Sequence, residues 1–320
     1  MDQIEILLGT YNGAEYVKAQ IRSIQLQTYS NWTLSVSDDC STDGTLEIVQ
    51  ECAREDPRIH IVSSNRKFGS AQSNFTFLME QATGFYVMFC DQDDIWHANK
   101  LEVFMDCMKD MEYRWGQDCP LMLFSDLTVV DAGDNLLAPS FLRLIGRDGH
   151  RTHLSELLVQ NLVTGCACCM NNSLRECIQS LGPLDSERML MHDWFYALVA
   201  AALGHVVYVN ESTVDYRQHN TNVVGAHHYS PWKIIGKMVL QGNTYIPLHA
   251  QIQRKVVGQA EYLRELLPCT VSKESRRLIT DFCSLPFVNQ IKRTRLLLQD
   301  GFWPYKIADR CLLWISFLCM

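Results

Sequence analysis

Long apolar runs are missing from this 320-residue chain. No stretch reaches the roughly 18–20 residues that a membrane-spanning helix needs, and Cys311 to Met320 is the nearest approach. Mean hydropathy is -0.08, too low for a multi-span membrane protein. An excess of positive charge is missing too: 28 Lys+Arg face 36 Asp+Glu, a formal net charge of -8 that argues against a general nucleic-acid binder. Internal repeats and low-complexity segments are missing, which excludes solenoids and disordered tracts. The opening Met1-Asp2-Gln3-Ile4-Glu5 has no basic stretch of the kind that begins a secretory leader. Cysteine is abundant, but the 13 residues are odd in number and scattered, so a reducing cytoplasm is expected rather than a disulfide framework. Cys166, Cys168 and Cys169 have no second Cys pair and no nearby His pair, so buried thiols are expected there rather than zinc.

What is present is a globular composition, 47% apolar and 20% charged, long enough for two domains. The charge is unevenly placed. Residues 1–226 hold 15 Lys+Arg against 30 Asp+Glu, whereas residues 227–320 hold 13 against 6. An acidic first part therefore carries a basic tail, and two regions are expected, 1–226 and 227–320.

Along the first part, apolar runs alternate with helical spacing. Ile4–Leu8, Trp32–Ser37, Ile59–Val62 and Phe85–Cys90 read as buried strands, separated by helical stretches at 14–27, 42–53 and 75–82. Leu121–Phe124, Leu127–Val130 and Val206–Val209 read as further strand material, Val214–His219 as an extended piece, and Met191–Leu203 as an apolar helix. From Trp232 onward the pattern is helical, with breaks expected near Pro247, Pro268, Pro286 and Pro304. Such alternation predicts an α/β fold with a mostly parallel central sheet flanked by helices and a C-terminal helical region. Ligands of such sheets sit beyond the carboxyl ends of strands. Three polar loops lie there: Gly9–Gly13, Asp38–Gly44 and Asp91–Asp94.

Asp91-Gln92-Asp93-Asp94 is the sharpest feature. Three carboxylates in four residues, directly after a buried strand, repel one another unless a cation relieves them. Oxygen-only donors suit Mg²⁺ or Mn²⁺, which bind alongside substrate phosphates. A solvated acidic turn with a capping Asp is the bland alternative.

Together, Thr10-Tyr11-Asn12, the run Asp38 to Thr45, and Asp91-Gln92-Asp93, in register over about the first 100 residues, resemble the family-two inverting glycosyltransferases of GT-A (Rossmann-like) fold. Asp93-Asp94-Ile95-Trp96, His192-Asp193-Trp194 and Tyr216-Arg217-Gln218-His219-Asn220 resemble that family's rhamnosyltransferase-like branch. The resemblance spans roughly 1–226 and leaves the basic tail unexplained. It implies transfer of a sugar, with dTDP-L-rhamnose as one donor, from a dTDP- or UDP-linked nucleotide sugar to a glycan or lipid-linked glycan in cell-surface polysaccharide synthesis. It also implies roles for single residues. Tyr11 would lie against the pyrimidine, with Thr10 and Asn12 shaping the pocket, and Asp38 would accept from the base N3–H. Asp39 would sit on the donor side, or serve loop chemistry only. Asp91 would face ribose or metal, Asp93 would be the main metal ligand, and Gln92 between them is permissive. Asp94 could instead hydrogen-bond to the metal's ligands without touching the ion. Arg66 or Lys67 in the segment Ser64–Asn74 would meet phosphate, and Asn74 would point toward the donor sugar. His219 would complete metal or pyrophosphate binding, and Arg217 would clamp phosphate.

Inverting transfer needs a base for the acceptor hydroxyl. Asp193, at a helix start, matches the family's base; helix capping is compatible with that role. His192 would orient Asp193 or touch acceptor, Trp194 is a sugar platform or a core aromatic, and Gly165 would let backbone approach the substrates. The tail mixes Lys273, Arg276, Arg277, Lys292, Arg293 and Arg295 with Trp232, Phe302, Trp303, Trp314 and Phe317. Peripheral contact at the inner face of an anionic membrane and a plain solvated helical face explain it equally. Two other functions fit an acidic site on an α/β sheet. A nucleotidyltransferase would want a basic Gly-rich triphosphate loop, and Gly9–Gly13 has no Lys or Arg. A non-catalytic carbohydrate-binding protein would not need Asp38, Asp93 and Asp193 together.

Overall fold

The computed structural model describes residues 3–219 and 229–318. Asn220 and the expected boundary at 226/227 lie outside the described residues. Packing divides the chain into two units. The first takes residues 1–141, 163–186 and 204–226; the second takes 142–162, 187–203 and 227–320. The second unit is therefore more than the basic tail, because two segments of the acidic part, one of them carrying His192–Trp194, pack with it.

Among the described residues the first unit is built on nine strands: β1 Ile4–Thr10, β2 Trp32–Asp38, β3 Ile59–Ser63, β4 Tyr86–Cys90, β5 Ile95–Trp96, β6 Leu121–Asp131, β7 Leu136–Ala138, β8 Cys168–Asn171 and β9 His205–Gln218. Their order is β3-β2-β1-β4-β8-β6-β9-β5, with β7 on β6. β3, β2, β1 and β4 run parallel, as the alternating sequence implied. β8 then enters antiparallel between β4 and β6, and β6 pairs parallel with β9, so the sheet is mixed. The central strands read as continuous apolar runs because both faces are covered: Ile4, Ile6, Leu7, Leu8, Val87, Met88, Phe89 and Cys90 have no exposed surface. Each such large side chain contributes about 1.5–3 kcal/mol by leaving water.

Two expected breaks are not there. Ser125-Asp126 does not divide two strands; β6 runs through it because the Ser125 hydroxyl meets Thr213 Oγ1 at 2.7 Å and Ser140 Oγ donates to Asp126 Oδ2 at 2.5 Å. The pieces 206–209 and 214–219 are likewise one 14-residue strand, β9, whose pairing with β6 shifts register in mid-course. The helix of 42–53 begins later, at Thr45, behind Gly44 in a left-handed conformation (φ 95°).

In the second unit, Pro247 does not break its helix, Gly242–Leu266, because in the second turn it forgoes a single backbone bond. Pro268, Pro286 and Pro304 do separate helices, Lys273–Ser284, Gln290–Asp300 and Ile307–Leu318 following in turn. Its core includes stacked Phe195 and Tyr262 (5.4 Å between ring centres) and Phe282 edge-on to Phe302 (5.3 Å). Among the described residues no helix is long and apolar enough to cross a membrane.

Candidate active site

Within the first unit, the carboxyl ends of β1, β2 and β4 are tied together by side chains from their own loops. Thr10, last in β1, is buried and donates its hydroxyl to Asp38 Oδ1 at 2.8 Å. Asp38 also accepts from the Ser41 hydroxyl (2.6 Å) and the Ser41 backbone N–H (2.8 Å). A wholly buried carboxylate with three donors is held rigidly, so its remaining lone pairs are what a base N–H would find. Asn12, in a left-handed conformation (φ 47°), receives the Thr42 N–H on its side-chain oxygen at 2.9 Å and gives its own N–H to Ser41 Oγ at 2.9 Å. Asp43 accepts from Ala14 N–H (3.0 Å) and Thr45 N–H (3.1 Å). Burial pushes the Asp43 carboxyl up, but the bonds from Thr45 and Ala14 outweigh it and hold the group below its usual value.

Gln92 is not the indifferent middle residue of its triplet. Its amide oxygen accepts the Tyr11 N–H at 2.9 Å and its amide nitrogen donates to the Tyr11 carbonyl at 2.9 Å. This pair joins the loop after β1 to the loop after β4 and leaves the Tyr11 ring 53% exposed, free to take a flat ligand. Asp39 does similar work: its carboxylate accepts the backbone N–H groups of Phe68 and Gly69, fixing the loop that carries Arg66. The exposed Arg66 guanidinium lies 5.0 Å from the Phe68 ring centre and 5.1 Å from that of Phe77, lining a cavity of about 270 Å³ with Lys67, Ser73 and Ser186. Asn74 is buried, and its amide donates to the Ser37 carbonyl at 2.9 Å, bracing the end of β2.

The acidic triplet divides its labour. Asp93 Oδ2 meets His219 Nε2 at 2.8 Å, and the His219 ring stacks on Tyr16 at 4.9 Å. Arg217 donates to the Asp93 carbonyl at 2.7 Å and to Asp134 Oδ1 at 3.0 and 2.7 Å, with its guanidinium 5.0 Å from the Tyr16 ring centre. Those bonds make Arg217 a brace for the 91–94 loop. Asp94 is fully buried and accepts the Arg217 N–H at 3.2 Å. Burial first, then the charges of Asp93 and Asp91, push the Asp94 carboxyl well above the usual carboxylate range. Asp91, Asp94 and Cys166 bring ligand atoms within 4.8 Å of one another.

A divalent cation fits this group. Asp94 Oδ2 is buried with no hydrogen-bond partner among the described residues, and mutual repulsion of the carboxylates is what a cation would remove. Burial first, then the charges of Asp94 and Asp91, hold the Cys166 thiol well above its usual value. The oxygen donors of Asp91 and Asp94 favour a hard ion such as Mg²⁺ or Mn²⁺; Asp93, expected as the main ligand, is not in this group and meets His219. Beneath them Lys100 is wholly buried, 3.6 Å from the Trp96 ring centre, donating to the Cys166 carbonyl; burial lowers its pKa to about 8.

His192, Asp193 and Trp194 belong to the second unit, at the start of the helix His192–Leu203. Asp193 Oδ1 accepts from Asn161 Nδ2 at 3.3 Å. The Trp194 indole donates to the Leu157 carbonyl at 2.7 Å, which ties that ring into the packing of its own unit. His192 is buried, and burial lowers its pKa to about 3, so its imidazole is neutral. Gly165 opens a buried 3-10 turn, Gly165–Ala167, in the first unit.

Sequence reasoning missed Tyr16, Lys100, Asp134 and Cys166 as parts of this site. Tyr16 lies in a stretch read only as helical, and the other three reach the site through side-chain contacts: Lys100 with Trp96 and the Cys166 carbonyl, Asp134 with Arg217, and Cys166 with Asp91 and Asp94.

Residues 5–114 match the family model described as glycosyl transferase family 2. A putative teichuronic acid biosynthesis glycosyltransferase, TuaG of Bacillus subtilis, is 34% identical over 116 residues, 36% of this chain and 43% of that protein. The chain thus spans less than half the length of that relative. The dTDP-rhamnosyl transferase RfbG of Shigella flexneri is 28% identical over 228 residues, 68% of this chain and 74% of that protein. Among solved structures, residues 1–349 of S. aureus TarS in complex with UDP-GlcNAc superpose with a TM-score of 0.58 at 15% identity, covering 99% of this chain and 79% of that one. The relatives carry several different sugar-transfer names, so rhamnosyl transfer is one possibility within the family and not its mark. The architecture is GT-A-like, and the likeness to the glycosyl transferase family 2 model is confined to the N-terminal segment, residues 5–114.

Proposed function

We propose that this chain is a family-two glycosyltransferase that moves a sugar, with inversion, from a nucleotide-sugar donor to a hydroxyl of a glycan or lipid-linked glycan, in the building of a cell-surface polysaccharide. The observation that carries this is the acidic triplet at the end of β4, locked through Gln92 and Tyr11 to the loop of β1, which Asn12 in turn ties to the loop of β2. Tyr11 offers an open ring face to the base, and Asp38 offers a fixed carboxylate beside Thr10. Asp91 and Asp94, whose oxygens come together, would hold Mg²⁺ or Mn²⁺, with Asp93 and His219 as the further ligands that the family resemblance implies. When bound, such an ion supplies charge neutralisation for the diphosphate leaving group. Arg66 and Lys67 line the neighbouring loop with positive charge. Asp193 takes the proton of the acceptor hydroxyl as that oxygen attacks the anomeric carbon. Its contact with Asn161 fixes one carboxylate oxygen for the task.

The donor we favour first is dTDP-L-rhamnose, because the relative named for that donor is matched well beyond residues 5–114; UDP-linked sugars come next. A cytoplasmic setting suits such donors and the reduced cysteines. The test is release of nucleoside diphosphate across a panel of dTDP- and UDP-sugars with Mn²⁺ and a polyprenyl-diphosphate glycan. Donor turnover that EDTA stops supports the proposal. A folded protein that turns over no donor with any acceptor sinks it.

A further inference from the structure

The helix Pro231–Leu240 of the second unit presents large apolar side chains to solvent. Trp232 is 79% exposed and Leu240 84%, and Ile235 is exposed as well. At 100° per residue, Trp232, Ile235 and Leu240 share one arc of the helix. Lys233 and Lys237, four apart and both exposed, run along one edge of that arc, while half-buried Ile234 and Met238 face the other way. The following helix adds exposed Leu248 and Ile252, again four apart, with exposed Arg254 and Lys255. Residues 229–260 hold four Lys/Arg and no Asp or Glu, in a chain where acids outnumber bases.

That charge pattern chooses the occupant. A second copy of this chain, seated face to face, would set lysine rows against one another with no acid to relieve them. An anionic surface matches the lysines, and Trp with Leu and Ile suits the boundary between headgroups and acyl chains. We propose that this face docks on an anionic phospholipid bilayer, with Trp232, Ile235 and Leu240 among the headgroups and acyl ends and Lys233 and Lys237 at the lipid phosphates. The helix lies on the membrane and does not cross it; no described helix is long and apolar enough to cross.

The test is co-sedimentation of the full chain with vesicles of phosphatidylcholine alone and of phosphatidylcholine mixed with phosphatidylglycerol. Binding is expected only to the anionic vesicles, and added salt should weaken it. Lys233→Gln with Lys237→Gln should lower the partition coefficient about thirtyfold, about fivefold per charge. Trp232→Ser should also lower it, and because all three side chains are exposed, circular dichroism should show each variant folded. Equal binding to neutral vesicles, no binding to either, or binding unchanged in the variants would overturn the proposal. So would a solution dimer that Trp232→Ser dissociates. No sugar transfer is read in this assay, so its outcome is separate from that of the proposed reaction.

Discussion

Gly13→Ala isolates the clamp that joins the loop after β1 to the acidic triplet. A Cβ on Gly13 would stand 2.2 Å from Gln92 Oε1 and 2.3 Å from Gln92 Cδ, so the amide must leave. When it leaves, both bonds to the Tyr11 peptide break. Each is worth about 0.5–1.5 kcal/mol net, so Gly13→Ala should cost about 2 kcal/mol in urea unfolding. Gln92→Ala breaks the same bonds without a clash and should cost about the same. The double variant should then cost about as much as Gln92→Ala alone, because the methyl group has nothing left to strike. The cycle should give a coupling of about 1–2 kcal/mol between positions 13 and 92. Nucleotide-sugar affinity should fall in both single variants, since Tyr11 is no longer held. Additive unfolding costs would refute the clamp.

Asp93→Asn should keep the fold but lose metal-stimulated donor turnover by at least about a hundredfold, read as nucleoside diphosphate release. Asp193→Asn should retain donor binding by calorimetry and lose transfer by about 10²–10⁴-fold; retained transfer would remove Asp193 from the mechanism. His249 contacts Ser316 Oγ at 2.7 Å, and burial lowers its pKa from 6.5 to about 4. Between those values the unfolded chain binds a proton that the folded chain does not, so stability should fall by up to about 2–3 kcal/mol as pH drops from about 6.5 to about 4. Urea midpoints of His249→Gln should show a shallower fall over that window.

The parallel half of the sheet was legible because β1, β2 and β4 are buried on both faces and so read as unbroken apolar runs ending in polar loops. β8 was not legible: four residues, Cys168–Asn171, sit in a stretch of small side chains, and only pairing with β4 and β6 makes them a strand. Polar residues inside β6 imitate a loop because their partners, Thr213 and Ser140, are remote in sequence. The same reason governs the site. Asp38 and Asp93 announce themselves by following a strand, whereas the bonds of Arg217 to Asp93 and Asp134 join residues 124 and 83 positions apart. Gln92 carries no sequence signal at all, since its role depends on the backbone of Tyr11, 81 residues away.

The central claim, sugar transfer that depends on a divalent ion at the β4 carboxylates, is tested most directly by thermal unfolding with nucleotide sugars, with and without Mn²⁺. At least one dTDP- or UDP-sugar should raise the melting temperature in Mn²⁺, not in EDTA, and not in Asp93→Asn. Equal protection with EDTA or in Asp93→Asn, or no protection by any nucleotide sugar, would contradict it.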